Sequence, residues 1–232
     1  MTNKFSDTQN TMPKSIGIIM DGNRRFAKQR DMLTIEGHRR GAEKLKEVLQ
    51  WTEDQGIQFV TVYAFSTENW NRNEKEVAGL IQLFEEYLSN DVRELAKRAH
   101  VRFIGDRDRF SPRMRELMND VTSSSQGNKS VLAIALSYGG RSEILRATNK
   151  LIKMGVTEID EEALSAHLDT EGIPDPELIL RTGGEQRLSN FLPWQSIYSE
   201  LIFTETLWPA LTREEFDRHI DSFRARKRNF GI

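Results

Sequence analysis

Ser15-Ile16-Gly17-Ile18-Ile19-Met20-Asp21-Gly22-Asn23-Arg24-Arg25-Phe26-Ala27 is the stretch whose reading decides the fold. Its apolar first half reads as a strand buried on both faces, the kind found inside parallel sheets. Asp21-Gly22-Asn23 is a sharp turn in which Gly22 can take backbone angles closed to other residues. Open α/β sheets place their ligands at the carboxyl ends of strands, where this turn falls. One carboxylate, free backbone amides and two guanidinium groups converge there. That set suits a diphosphate with a magnesium ion: Asp21 to hold the metal, Arg24 and Arg25 to bind phosphate oxygens in bidentate fashion. A tight turn with two solvated arginines accounts for the same residues.

Working outward, Ala42, Leu45, Val48, Leu49 and Thr52 mark a helix after Gly37-His38-Arg39-Arg40-Gly41, with Gly56 as its stop. Phe59 to Phe65 is a β-branched and aromatic strand, ending in the polar turn Ser66 to Arg72. Val77, Leu80, Ile81, Phe84, Leu88, Val92 and Leu95 predict one long helix from Glu74 to about Arg98. Strands follow at Val101–Ile104, Val131–Leu136, Leu178–Leu180 and Ser199–Thr204. Helices open at Ser111-Pro112, near Gly140, at Asp160 and at Thr212; the last ends in Arg224, Arg226, Lys227 and Arg228. Strands alternating with helices predict an α/β fold, a mostly parallel central sheet flanked by helices.

Four strands end in turns rich in Gly, Ser, Asn and Arg. In a parallel sheet those ends lie side by side, so one cleft should gather Asp21, Asn23, Arg24, Arg25, Glu68, Arg72, Arg141, Arg181, Glu185, Arg187 and Ser189. Net charge is only −2, so this much local arginine implies a polyanionic ligand, and no global basic field points to nucleic acid. At 232 residues, 38% hydrophobic and 29% charged, the composition is that of an ordinary enzyme. The absence of cysteine excludes disulfides and thiolate metal sites. No apolar run approaches the roughly 20 residues that span a bilayer. Residues 1–12 are polar and are expected to be a disordered tail ahead of a single domain, 13–232, in the cytoplasm. No Walker loop, dinucleotide fingerprint, Gly-x-Ser-x-Gly elbow or Asp-Asp-x-x-Asp run is present.

Met20-Asp21-Gly22-Asn23 with Arg25, Gly37-His38, Phe65-Ser66-Thr67-Glu68-Asn69-Trp70-Asn71-Arg72, Tyr138-Gly139-Gly140-Arg141 and Arg181-Thr182-Gly183-Gly184-Glu185-Gln186-Arg187-Leu188-Ser189-Asn190-Phe191 occur in order. Together with Trp194-Gln195 and Tyr198-Ser199-Glu200-Leu201 they resemble the cis-prenyltransferases over nearly the whole chain. That family joins isopentenyl diphosphate to an allylic diphosphate such as farnesyl diphosphate, forming Z double bonds. The resemblance implies Mg2+ held by Asp21 and by Glu200, of the same or a neighbouring subunit. It implies an allylic diphosphate cradled by Gly22, Asn23, Arg24 and Arg25, with Phe26 and His38 beside it. Arg181, Arg187 and Ser189 would bind isopentenyl diphosphate. Ser66 and Asn69 would be catalytic with Asp21, standing near the reacting carbons to help remove the proton, among Phe65, Glu68, Trp70 and Arg72. The long helix would line an apolar tunnel, with Val62, Ala64, Leu80, Ile81, Phe84, Leu88 and Leu132 as candidate linings. Ala64 and Ser130, small at positions tied to tunnel depth, imply a medium or long product of the undecaprenyl class.

The resemblance also implies a homodimer formed through the region between Ser137 and Tyr198 and the C-terminal half, and peripheral contact with a membrane. Thr34 stands where many members have an arginine, so one phosphate contact would be lost or would fall to Arg24, Arg30 or Arg39. A non-catalytic partner subunit of a heteromeric prenyltransferase is the alternative; such partners lose the aspartate and the first arginine turn, both intact here.

Overall fold

In the computed structural model, which describes residues 11–226, β1 (Ser15–Ile19) is buried along its whole length. Its side chains alternate across the sheet as the two-residue repeat requires. Ile16 and Ile18 enter the larger core, while Ile19 joins a second core containing Tyr138, Ile179 and Phe191. Gly17 lies on that second face because a Cβ there would stand 3.0 Å from the Phe191 ring.

The remaining elements are α1 (Asn23–Lys28), α2 (Thr34–Asp54), β2 (Phe59–Ser66), α3 (Glu74–Ser89), α4 (Asp91–Leu95), β3 (His100–Ile104), α5 (Pro112–Ser124), β4 (Val131–Tyr138), α6 (Gly140–Lys153), α7 (Glu161–Ser165), β5 (Leu178–Arg181), β6 (Glu200–Phe203) and α8 (Arg213–Ala225). Six strands form one sheet in the order β3-β4-β2-β1-β5-β6, and every pairing is parallel. The chain builds outward from β1 on one side, then returns to add β5 and β6 on the other. The strand order therefore reverses at β1, and the crevice beyond the carboxyl ends of β1 and β5 is the place such sheets keep for ligands.

The caps read from sequence are present. Ser111 accepts from the Met114 amide at 3.1 Å and Thr212 from the Glu215 amide at 3.2 Å. Two expectations are corrected. The second helix begins at Thr34, so Gly37 and His38 lie within it. Gly37 and Gly41 are packing positions, not a preceding loop: a Cβ at either would come within 2.2 Å of Asn23. The long helix over 74–98 is broken at Asn90 (φ −120°, ψ −73°). Ser89 Oγ donates to the Glu85 carbonyl at 2.8 Å and Asn90 Nδ2 to the Glu86 carbonyl at 3.2 Å. These side chains compete for the carbonyls of the helical ladder where α3 ends and α4 begins.

Residues 1–10 of the expected tail, and Lys227, Arg228 and the rest of the C-terminal segment, lie outside the described residues. Met12 already packs against the larger core, so the folded part begins before residue 13.

Candidate active site

Asp21 leaves the carboxyl end of β1 fixed through its backbone. Its carbonyl accepts from Thr182 Oγ1 at 2.8 Å and from the Trp208 amide at 3.0 Å. Gly22 follows at φ +115°, and a Cβ there would lie 2.9 Å from the Leu207 Cα, so this turn admits only glycine. The Asp21 carboxylate sits between two cations. Arg181 Nη2 donates to Oδ2 at 2.9 Å and Arg25 Nη2 lies 3.3 Å from Oδ1. Arg181 is 4% exposed, and its other amino group reaches Ser189 Oγ at 2.8 Å and the Arg187 carbonyl. Its planar fork is thus held in place before any ligand arrives.

Three spaces meet beside this carboxylate. One lobe is lined by Asp21, Gly22, Asn23, Arg24, Arg25, Lys28, Thr34, His38 and Arg72. A second is lined by Asp21, Tyr63, Phe65, Ser66, Glu68, Asn69, Arg72, Arg181, Arg187, Ser189 and Asn190. The third is an apolar cavity of about 820 Å³ including its open mouth, walled by Leu45, Ala64, Leu80, Leu83, Phe84, Leu88, Leu95, Phe103 and Leu136. Met20, Asn23 and His38 border all three.

His38 Nε2 is buried with no partner. Burial, and then the charges of Arg72 and Arg24, hold its pKa down to about 4, so the ring is neutral at physiological pH. Burial and the Glu68 charge push the Tyr63 hydroxyl up. It stays a donor, 3.2 Å from the Tyr138 carbonyl and 3.3 Å from that of Ser189. Ser66 and Asn69 cap each other: Asn69 Oδ1 accepts from the Ser66 amide at 3.1 Å. Ser189 and Asn190 both have positive φ, 50° and 68°, so the loop that presents them is strained, as ligand-clamping loops often are.

Most residues picked from sequence converge here, and some do not. Phe26 turns outward beneath the Arg30 guanidinium, 3.7 Å from its ring centroid. Trp70 packs edge-on to Phe65 and donates to Ser137 Oγ at 2.9 Å, which makes it a support behind the wall. Arg141 borders none of the three spaces; Asn190 Oδ1 accepts from its backbone amide at 2.9 Å. Glu200 opens β6 opposite Leu178, three residues before the Arg181–Phe203 level, so it lies roughly 10 Å toward the other edge of the sheet and pairs with Arg226 at 2.6 Å. Within one chain it cannot share an ion with Asp21. Of the three candidates to replace the arginine missing at 34, Arg24 borders the first lobe, whereas Arg30 stacks on Phe26 and Arg39 pairs with Glu86 at 2.7 Å. Val62, Ile81 and Leu132 do not border the apolar cavity.

Sequence reasoning missed Tyr63, Lys28 and Asn190. An asparagine following a serine in a glycine-rich loop was a readable signal, since Asn tolerates positive φ. Tyr63 was hidden by a bulge: the register of β2 against β4 shifts between Tyr63 and Phe65, sending the two rings to opposite faces.

A family model described as "Putative undecaprenyl diphosphate synthase" matches residues 19–231. An isoprenyl transferase of Aquifex aeolicus is 45% identical over 222 residues, covering 95% of this chain and 96% of that one. One from Agrobacterium fabrum is 42% identical over 232 residues, covering 97% and 94%. Among solved structures, lavandulyl diphosphate synthase from Lavandula x intermedia in complex with dimethylallyl diphosphate superposes with a TM-score of 0.90 at 34% identity, over 95% of this chain and 99% of that one. A probable undecaprenyl diphosphate synthase from Campylobacter jejuni gives 0.81 at 34% identity, over 96% and 100%. On these matches the chain belongs to the cis-prenyltransferase family, enzymes that transfer prenyl groups.

Proposed function

We propose that the protein condenses isopentenyl diphosphate with an allylic diphosphate, farnesyl diphosphate being the primer, to give a Z-polyprenyl diphosphate of the undecaprenyl class. The observation that carries this is the junction at Met20, Asn23 and His38, where two cationic lobes and an apolar cavity meet beside Asp21. Two diphosphates side by side repel, and only a cluster of cations can hold both. A hydrocarbon tail needs an apolar cavity that begins at the first of them. The lavandulyl diphosphate synthase neighbour, solved with dimethylallyl diphosphate, is consistent with an allylic occupant.

The donor set fits Mg2+. Among the described residues no three His, Asp or Glu side chains converge into a protein cage. Asp21 is a partly exposed carboxylate, and Mg2+ characteristically takes one or two carboxylates together with substrate phosphates. Held by Asp21 and diphosphate oxygens, and by Glu200 only if a neighbouring subunit supplies it, the ion would neutralise the leaving group.

Arg24, Arg25 and Arg72 hold the allylic diphosphate in the first lobe, and Arg181, Arg187 and Ser189 hold isopentenyl diphosphate in the second. The terminal alkene carbon bonds to the allylic carbon as the carbon–oxygen bond to diphosphate breaks, its electron pair leaving on oxygen. Negative charge grows among fixed guanidinium groups, which need not reorganise as it appears. The proton lost from the isopentenyl unit passes to the departing diphosphate. Ser66 and Asn69, locked in their reciprocal cap, are orienting groups, since neither is basic. Product length is set by the cavity, dimerisation joins two copies through the 137–198 region, and the lipid product brings the protein to the membrane surface. No helix among the described residues is long and apolar enough to cross a membrane.

The test is incorporation of labelled isopentenyl diphosphate into longer chains by the purified protein with farnesyl diphosphate and Mg2+. Asp21→Ala is expected to lower turnover by about 100-fold or more, the scale of losing one preorganised electrostatic group. Undiminished turnover in that variant would remove Asp21 from the mechanism.

A further inference from the structure

Gly139-Gly140-Arg141 follows β4 and opens α6, yet it borders none of the three spaces of the site. Its glycines make room for a residue from another part of the chain. The N-cap of α6 is Gly139, which offers no side chain to the first amides of the helix. Asn190 supplies what is missing from 49 residues away. Its carbonyl accepts from the Gly140 amide at 2.8 Å and its Oδ1 from the Arg141 amide at 2.9 Å. A Cβ at Gly139 would stand 2.7 Å from Asn190 Nδ2, and one at Gly140 would run into Pro193. The other end of the same amide turns to the site. Nδ2 donates to Glu68 Oε1 at 3.2 Å, on the short turn Thr67–Asn71 that follows β2. One planar amide thus joins the segments that follow β2, β4 and β5. Asparagine suits the place because it accepts and donates at once and tolerates the φ of +68° found here.

Ser189, next to it, has φ +50°, and Leu192 has φ +48°. Such angles persist in residues other than glycine only where the surroundings over-determine them. Ser189 is held from two directions: its Oγ accepts from Arg181 Nη1 at 2.8 Å, and its carbonyl accepts from the Tyr63 hydroxyl at 3.3 Å. Asn190 supplies the third. We propose that Asn190 is a positioning residue for isopentenyl diphosphate: by capping α6 across the chain and binding Glu68, it holds Ser189 and Arg187 in the second lobe beside Arg181. This rests on the assignment of that lobe to isopentenyl diphosphate above. Without the Asn190 amide the strained pair relaxes, and Ser189 Oγ leaves the place where it and Arg181 meet the same phosphate. Asn190 does not line the first lobe, which is built on Asn23, Arg24 and Arg25. The loss therefore falls on one of the two substrates.

The experiment is steady-state kinetics, each substrate varied at saturation of the other, for the wild type, Asn190→Gly, Asn190→Asp, Glu68→Gln, and Asn190→Asp combined with Glu68→Gln. Asn190→Gly accepts the positive φ and removes the amide, so it separates the side chain from backbone strain. Asn190→Asp keeps an acceptor for the α6 amide and sets a second carboxylate against Glu68, so it serves should the glycine variant not fold. Both are expected to raise KM for isopentenyl diphosphate about tenfold or more, the scale of losing one hydrogen bond to a charged partner. KM for farnesyl diphosphate is expected to stay within about twofold of wild type, as for a site that shares no partners. Glu68→Gln offers a donor in place of the repelling oxygen. In that background Asn190→Asp is expected to raise KM for isopentenyl diphosphate by no more than about threefold, donor and acceptor having been exchanged across the pair. A cap with a structural role alone would lower the thermal midpoint and leave the two KM values in their wild-type ratio. That result, or an equal rise with and without Glu68→Gln, would overturn the positioning role alone. Failure of the wild type to elongate any allylic primer would overturn the prenyl-elongation reading and the positioning role with it.

Discussion

His38 shows how much one side chain can report about the site. Its Nε2 is buried with no partner, and burial, then the charges of Arg72 and Arg24, hold its pKa down to about 4 against an ordinary 6.5. The unfolded chain therefore binds a proton between those values that the native protein refuses. Stability from this group is fully present above pH 6.5 and is lost as pH falls through that window, by about 3 kcal/mol at most. Urea unfolding at pH 7.5 and pH 5 is expected to show a smaller loss for His38→Gln than for wild type; equal losses would place the ring in water. Asp21, the arginines and Ser189 were legible in the sequence because each sits in a turn whose chemistry is local. Phe26, Trp70 and Glu200 were not, because side-chain direction and strand position come from tertiary packing. Glu200 was assigned to the metal by resemblance, yet its own chain carries it to the opposite edge of the sheet.

At the scale of elements, α2 is shaped by what it must approach. Gly37 and Gly41 let it lie directly on Asn23, which borders both lobes and the cavity. Gly41→Ala would bring a methyl group within 2.2 Å of Asn23 Oδ1. The expected outcome is a loss of about 2 kcal/mol in stability, typical of overpacking, and a raised KM for the allylic substrate as Asn23 is displaced. Wild-type values for both would show that the helix shifts without consequence. The alternation of strands and helices was readable from hydrophobic period, and the sheet came out parallel as expected. The break at Asn90 was not readable, because Val92 and Leu95 continue the spacing of α3 while Ser89 and Asn90 interrupt only its hydrogen bonds.

For the whole molecule, the sheet brings β1 and β5 together from opposite ends of the sequence, so Asp21 meets Arg181 across 160 residues. That pairing could be anticipated only from the rule that parallel strand ends gather on one edge. Leu145, Ile152 and Ile197 are 62%, 58% and 75% exposed in one chain, within the region expected to dimerise. Leu145→Lys with Ile152→Lys is expected to convert a dimer to a monomer in sedimentation velocity; an unchanged dimer would move the interface elsewhere. The central claim is that a diphosphate sits on Asp21 and the first-lobe arginines while its tail descends along α3. A crystal structure with a non-cleavable thio analogue of farnesyl diphosphate, isopentenyl diphosphate and Mg2+ tests it most directly. The expected result is the analogue's phosphates at Arg24, Arg25 and Arg72, with its hydrocarbon between Ala64, Leu80 and Phe84. Phosphates bound elsewhere, or a tail lying outside that cavity, would contradict it.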